Sequence, residues 1–541
     1  MIWTDPHRLA LALAVAAGLA GPALARPPLA ASDWLSGSVQ PPGNVSSWRP
    51  GDARPPELRR RSTREIAPTG AVEPVGVTRL GEGNPDGKGT VSPRAAGLPP
   101  GLWGDSDTAV LVRLIGESHP RLPVMRRLER RLLAAQLQPP RSIQGQEGAL
   151  FLARVDKLLD MGATGAAREL LKAAGPGDPE RFRRLFDIAL LSGDEAHACE
   201  IMDRTPGVAP SFPARIFCLA MSGDWPAAAM VFHGAETMGL IAPQMAALLA
   251  RYLDDAYVDE GGELPVPQPV SPLELRLFEA IGQPLPLTSL PLVFALADLD
   301  ENTGWKARLE AAERLARAGA IPASQLRDIY LEQKPAASGG VWDRAAAVQA
   351  LRVALNARDA QEVARTLPRA FDTMVPAGLG PALADMAGAE AGAMALSGRA
   401  GQIALWLALQ AGQAQVLQAP PADASEFDLW LLRFAEGEPE TAPPSGTTGA
   451  APRAATLFPA FLGPSEHDVP AATAELILAE RRGEALLAAI ADTDAGLDGD
   501  LARAAQGLRS LRALGQQQVA RQAAVELILA PILQPAPGTA P

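Results

Sequence analysis

The chain has two cysteines and five histidines in 541 residues. The histidines (His7, His119, His197, His233 and His467) are scattered. They form no H-E-x-x-H and no pair four residues apart, so the familiar zinc spacings are missing. There is no G-x-S-x-G nucleophile turn and no G-x-x-x-x-G-K-[ST] phosphate loop. The run Gly81 to Gly87 misses the dinucleotide spacing by one residue. Alternating apolar and polar residues and Asn-Gly turns, the marks of a β-hairpin protein, are absent. No apolar run of 18 residues or more lies beyond the N-terminus, which excludes a protein of many membrane spans. Basic residues are outnumbered 61 to 49, for a net charge of −12. A nucleic-acid partner is therefore not expected, because phosphate neutralisation needs a basic face. These absences leave no catalytic residue, cofactor site or metal site to assign, and a non-enzyme is expected.

What the chain does have begins with an export pattern. Leu9 to Gly21 is a continuous Leu/Ala/Val/Gly stretch behind Arg8, broken by Pro22 and followed by Ala23-Leu24-Ala25. Such a core is too short to span a bilayer but suits a signal peptide over 1–25, cleaved after Ala25. A periplasmic protein, or a secreted one, follows from it, in an oxidising compartment.

Gly and Pro, 50 and 51 in number, are unevenly spread. Residues 26–103 are dense in both and keep no apolar period, so they read as a disordered arm. The arm carries a basic knot at Arg59, Arg60, Arg61 and Arg64. Over 26–136 there are 16 basic against 11 acidic residues, a surplus of five on an otherwise acidic chain. The arm is a solvated linker or a contact for an anionic surface.

From residue 104 the period becomes 3.6. Phe151, Val155, Leu158 and Leu159 share one helix face, as do Phe182, Leu185, Phe186, Ala189 and Leu190. Breakers recur: Ser192-Gly193-Asp194 and Ser222-Gly223-Asp224 are near copies, echoed at Gly162, Gly319, Gly398 and Gly412. Gly suits a left-handed helix end and the following Asp a cap. Gly162, Gly193 and Gly223 are 31 and 30 residues apart, a helix–turn–helix spacing. Trp225, Trp305 and Trp342 each follow a breaker and are expected to fill the wide end of a hairpin.

In period and turn, residues 104–437 resemble the tetratricopeptide-like α-solenoids. The resemblance implies a curved stack of antiparallel hairpins whose concave surface binds a partner. The layout is also similar to that of exported helical proteins of GC-rich Gram-negative bacteria. The fold expected is all-α: an α-solenoid over 104–436, a flexible linker or insertion over 437–455, a C-terminal helical segment over 456–530 and a Pro-rich tail over 531–541.

Three local patterns invite chemistry. Arg113-Leu-Ile-Gly-Glu117-Ser118 resembles the catalytic Glu-Ser of lytic transglycosylases, but that family's downstream Gly-Leu-Met-Gln segment is missing. The run reads instead as a helix ending before Pro120. Asp492 to Asp500 is rich in carboxylates at calcium-loop spacing, yet Leu497 and Arg503 stand where such a loop needs Gly and Glu. It reads as a capping turn. The helix over 122–136 sets Arg126, Arg127, Arg130 and Arg131 beside Leu128, Leu132 and Leu133. It is expected to cap the solenoid with its arginines in solvent, or to lie on an anionic membrane.

Cys199 and Cys218 are expected to pair. Each lies in one helix of a hairpin turning near residue 208, and residues equally far from a turn stand at the same height. The function expected is an exported scaffold or adaptor binding a protein partner in envelope assembly, secretion or motility. The alternatives are a cell-wall-acting enzyme or its regulator, which needs a cleft holding an Asp or Glu of raised pKa, and a tethered structural envelope protein.

Overall fold

Phe182, Phe186, Ala189 and Leu190 do share a buried face, on the helix Pro179–Ser192. Asp178 caps its first turn, its side chain accepting from Arg181 N at 2.9 Å. Gly193 ends it at φ 70°, a left-handed conformation in which any Cβ is strained. This cycle of cap, apolar stripe and left-handed stop recurs along the chain. The structure, a computed structural model, describes residues 30–37, 83–141, 147–254, 262–417, 420–437, 441–446, 449–463 and 468–534. It is all-helical: among the described residues the only pairing of extended backbone is one isolated bridge, Val91 with Ala135.

Helices pack on their sequence neighbours in two runs. The first passes from Ala149–Asp160 through Pro179–Ser192, Phe212–Met221 and Trp225–Thr237 to Pro243–Leu253. The second runs from Trp305–Arg317 through Val341–Ala357 and Ala360–Met374 to Gly398–Gln410. Of the three tryptophans expected to fill the hairpins, Trp305 is buried and meets Trp342 at 5.2 Å between ring centroids. Trp225 does not follow suit; it is 47% exposed.

The stack does not end openly. Helix Gln517–Leu533 packs on both Gly398–Gln410 and the Arg-rich helix Pro123–Ala134, and Arg482–Asp494 packs on Thr108–Glu117. Leu122 N and Arg121 N both donate to Asp494 at 2.7 Å. Gly483 lies so close to Trp103 that a Cβ there would come within 2.4 Å of the indole. The C-terminal helices thus close on the N-terminal ones.

Three boundaries differ from the sequence reading. Two parts of the segment read as a disordered arm, 30–37 and 83–103, are folded. Asp86, 1% exposed, accepts from Gly148 N and Phe151 N at 3.0 and 2.7 Å. The buried Arg154 donates to the carbonyls of Asp86, Lys88, Leu133 and Ala135. Trp103 is fully buried. Polar side chains far along the chain order a stretch that has no apolar period of its own. Within 437–455, the helix Ala450–Leu457 has already begun, and Thr441 O accepts from Trp430 Nε1 at 3.0 Å. The Pro-rich tail starts late, since Pro531 lies inside the last helix, which ends at Leu533. The export segment with Ala25, the basic knot at Arg59–Arg61 and Arg64, and His467 lie outside the described residues.

Candidate functional site

Cys199 and Cys218 are joined by a disulfide, with Cα atoms 5.1 Å apart. Cys199 lies on Glu195–Arg204 and Cys218 on Phe212–Met221, the two arms of one hairpin. Both side chains are buried.

Beyond this staple the surface turns apolar. Helix Trp225–Thr237 buries only Ala228, Phe232 and Ala235, spaced for a single face. Its other face presents Met230 at 74% exposure, and Met238 and Leu240 continue the patch into the next turn. Of the eleven large hydrophobics that are exposed among the described residues, seven fall between Phe212 and Val266. Single exposed apolar residues are ordinary, but a concentration on one part of a surface marks contact with something else. Beside it, Pro243, Met245, Leu264, Pro265, Pro267 and Phe278 line a small groove of about 230 Å³.

The Arg-rich helix Pro123–Ala134 behaves differently from its sequence reading. Its four arginines are half-buried, and two of them are held by groups from elsewhere in the chain. Glu526, with no exposed side chain, pairs with Arg127 at 3.0 Å and accepts from Val124 N at 3.0 Å. Arg126 donates to Arg317 O at 2.8 Å, and Arg126 and Arg130 lie against the turn at Gly319. Burial, then repulsion from Arg130, lowers the Arg126 pKa to about 10. On the same helix Glu129 is fully buried beside Ser118, and burial pushes its carboxyl up to about 7. The partners that hold the arginines lie 190 to 400 residues away, beyond the reach of a local pattern.

This helix forms one wall of a cleft of about 450 Å³, opposite Lys157, Asp160 and Met161 and closed by Leu292, Arg314 and Arg317. Asp160 carries a buried oxygen, Oδ1, with no hydrogen-bond partner among the described residues, and burial raises its pKa to about 7. Burial lowers Lys157. His119 is lowered by burial and, after that, by Lys157. Ser118 and His119 line the cleft, while Glu117 lies outside it, exposed and paired with Arg113 at 3.0 Å. The transglycosylase-like pattern thus points its glutamate away from the only part of the motif that reaches a cavity.

Residues 30–37 form a strap over the far side of Asp160. Ala31 N donates to that carboxylate. Trp34 is 2% exposed, with its ring edge-on to Phe294 at 5.6 Å. Ser36 donates to Asp187 through N at 3.0 Å and through Oγ at 2.6 Å, and Arg183 donates to Ser36 O. Burial pushes Asp187 up to about 6 against these bonds.

The carboxylates of the Asp492–Asp500 turn are each committed to protein groups. Arg121 takes Asp494 at 3.1 Å and Asp498 at 2.6 Å, Arg503 takes Asp492 at 2.7 Å, and Asp500 caps Leu501–Ala513. Among the described residues no group of three His, Cys, Asp or Glu is placed to hold a metal ion. His197 and His233 are exposed, each beside a glutamate one turn on. No helix among the described residues is long and apolar enough to cross a membrane. No family model matches the chain, and neither a curated protein nor a solved structure matches it.

Proposed function

We propose that the protein is an exported, non-catalytic scaffold or adaptor that binds a protein partner in the cell envelope. The observation that carries this reading is the exposed apolar face around Met230, Met238 and Leu240, on the helix Trp225–Thr237 and the turn after it, which packs on one arm of the disulfide-linked hairpin. Protein interfaces are enriched in Met and aromatic residues at their centres. A disulfide is compatible with an oxidising, exported location. A photo-crosslinking residue at Met230 in the producing cell tests the reading, with the same probe at Val353, 70% exposed on another helix, as control. A discrete adduct with one envelope protein is expected at 230 and not at 353. No adduct at 230, or the same pattern at both positions, removes the proposal.

A specific observation favours one rival. A wall-acting enzyme needs an acid of raised pKa in a cleft, and Asp160 lies in one. Release of soluble fragments from purified peptidoglycan by the native chain, lost in Asp160→Asn, would select that reading instead.

A further inference from the structure

The cleft between the Arg-rich helix and the turn at Gly319 gathers several cations that make no ion pair. Arg121 is matched by Asp494 and Asp498, and Arg317 by Glu313 at 3.0 Å. The remaining three, Arg126, Lys157 and Arg314, make no ion pair within 4 Å among the described residues. Arg126 and Arg314 donate to backbone carbonyls only, those of Arg317, Leu287 and Leu290. Arg126 Nε is buried without an acceptor. Lys157 is 2% exposed, near Glu129 and Asp160 but bonded to neither. Arg130 adds a fourth cation, beside Arg126. Buried like charges of this kind are costly unless an opposite charge meets them. Carboxylates lie near them without bonding to them: Glu129 and Asp160 near Lys157, Glu526, Asp494 and Asp385 near Arg126, and Asp298 near Arg314.

We infer that this cleft is a binding site for a small organic ligand with an oxyanion head, phosphate or carboxylate, held between Arg126, Lys157 and Arg314. The space, about 450 Å³, is that of a metabolite-sized molecule rather than of a bare ion. Guanidinium groups match planar or tetrahedral oxyanions through paired N–H donors, and a desolvated ammonium supplies a point charge. Asp160, the one acidic side chain in the cleft lining, opposes the anion. This inference is independent of the apolar face and of the partner proposed for it.

Isothermal titration of the full chain at pH 7.0 tests it, with inorganic phosphate and with citrate as separate probes and sodium chloride holding ionic strength constant. Saturable binding of at least one is expected. Phosphate alone points to a phosphate head, citrate alone to a carboxylate head. Arg126→Gln should weaken binding about tenfold or more, the loss of one charged hydrogen-bond donor. Asp160→Asn should tighten it, a direction that a merely destabilised protein would not show. Heats that only follow ionic strength overturn the site. So does unchanged affinity in Arg126→Gln, or weaker binding in a folded Asp160→Asn. Should Arg126→Gln fail to fold, the direction of the Asp160→Asn effect decides alone.

Discussion

Arg127 and Glu526 are 399 residues apart in the chain and 3.0 Å apart in space, and the glutamate has no exposed side-chain surface. With Val124 N on its other oxygen, this carboxylate fastens the last helix to the Arg-rich one. Removing the buried carboxyl leaves Val124 N without its acceptor, while Arg127, 40% exposed, can turn to water. Glu526→Ala should therefore cost about 1–3 kcal/mol of unfolding free energy. Glu526→Gln retains an acceptor for Val124 N and should cost less. Urea unfolding of the two variants checks both the size and the order.

Four buried carboxyls set a pH dependence of definite sign. Burial raises Glu129, Asp160 and Glu526 to about 7 and Asp187 to about 6, from ordinary values of 3.8 to 4.5. Between those limits the folded chain holds protons that the unfolded chain has lost. Their contribution is complete below the unfolded values and disappears as pH rises through 6 to 7. The urea midpoint should accordingly be higher at pH 5.5 than at pH 7.5, and Asp160→Asn should flatten the difference. A midpoint that rises with pH over this range would contradict the burial of these groups.

The strap should come away by itself. Trp34→Ala removes a buried indole, a change of roughly 3–5 kcal/mol in a core, from a segment held otherwise by a few polar bonds. Hydrogen exchange should show residues 30–37 losing protection while the helices Pro179–Ser192 and Ala149–Asp160 keep theirs. Retained protection at Ser36 would show that its bonds to Asp187 suffice.

Trypsin offers a direct check on where the folded body starts. Lys88 O and its neighbours are held by the buried Arg154, and Arg94 sits in the short helix Pro93–Ala96. Cleavage after Lys88 and Arg94 should therefore be slow in the native chain, with both sites protected like those beyond residue 104. Rapid cutting there would return the segment to the arm.

The disulfide closes a sequence separation of 19 residues. Replacing both cysteines by alanine should lower stability by about 3 kcal/mol in the chain-entropy account. The midpoint of the double variant should match that of the reduced wild-type chain.

The helical hairpins were legible because their signals are local. Ser192-Gly193-Asp194 and Ser222-Gly223-Asp224 announce a stop and a cap within three residues, and both glycines have positive φ. The cysteine pair was legible because two symmetric positions on one hairpin leave little else to consider. The Arg-rich helix was not. Four arginines on twelve residues look like a solvated face until Glu526 and the carbonyl of Arg317 arrive from elsewhere. The strap and the cleft escaped for the same reason. Trp34 and Leu35 stand in a stretch with no sustained apolar period to mark them as core, and Phe294, the partner of Trp34, is 260 positions on. Asp160 looks like a helix-terminal residue and nothing more.

The closure of the last helix onto the Arg-rich one also has a meaning in time. At a synthesis rate of roughly 5–20 residues per second, Glu526 emerges about 20 to 80 seconds after Arg127. For that interval Arg127 has no ion-pair partner. Until residue 526 is made, Arg127 lacks its ion pair and Val124 N its acceptor, so the contact between these two helices forms late in synthesis.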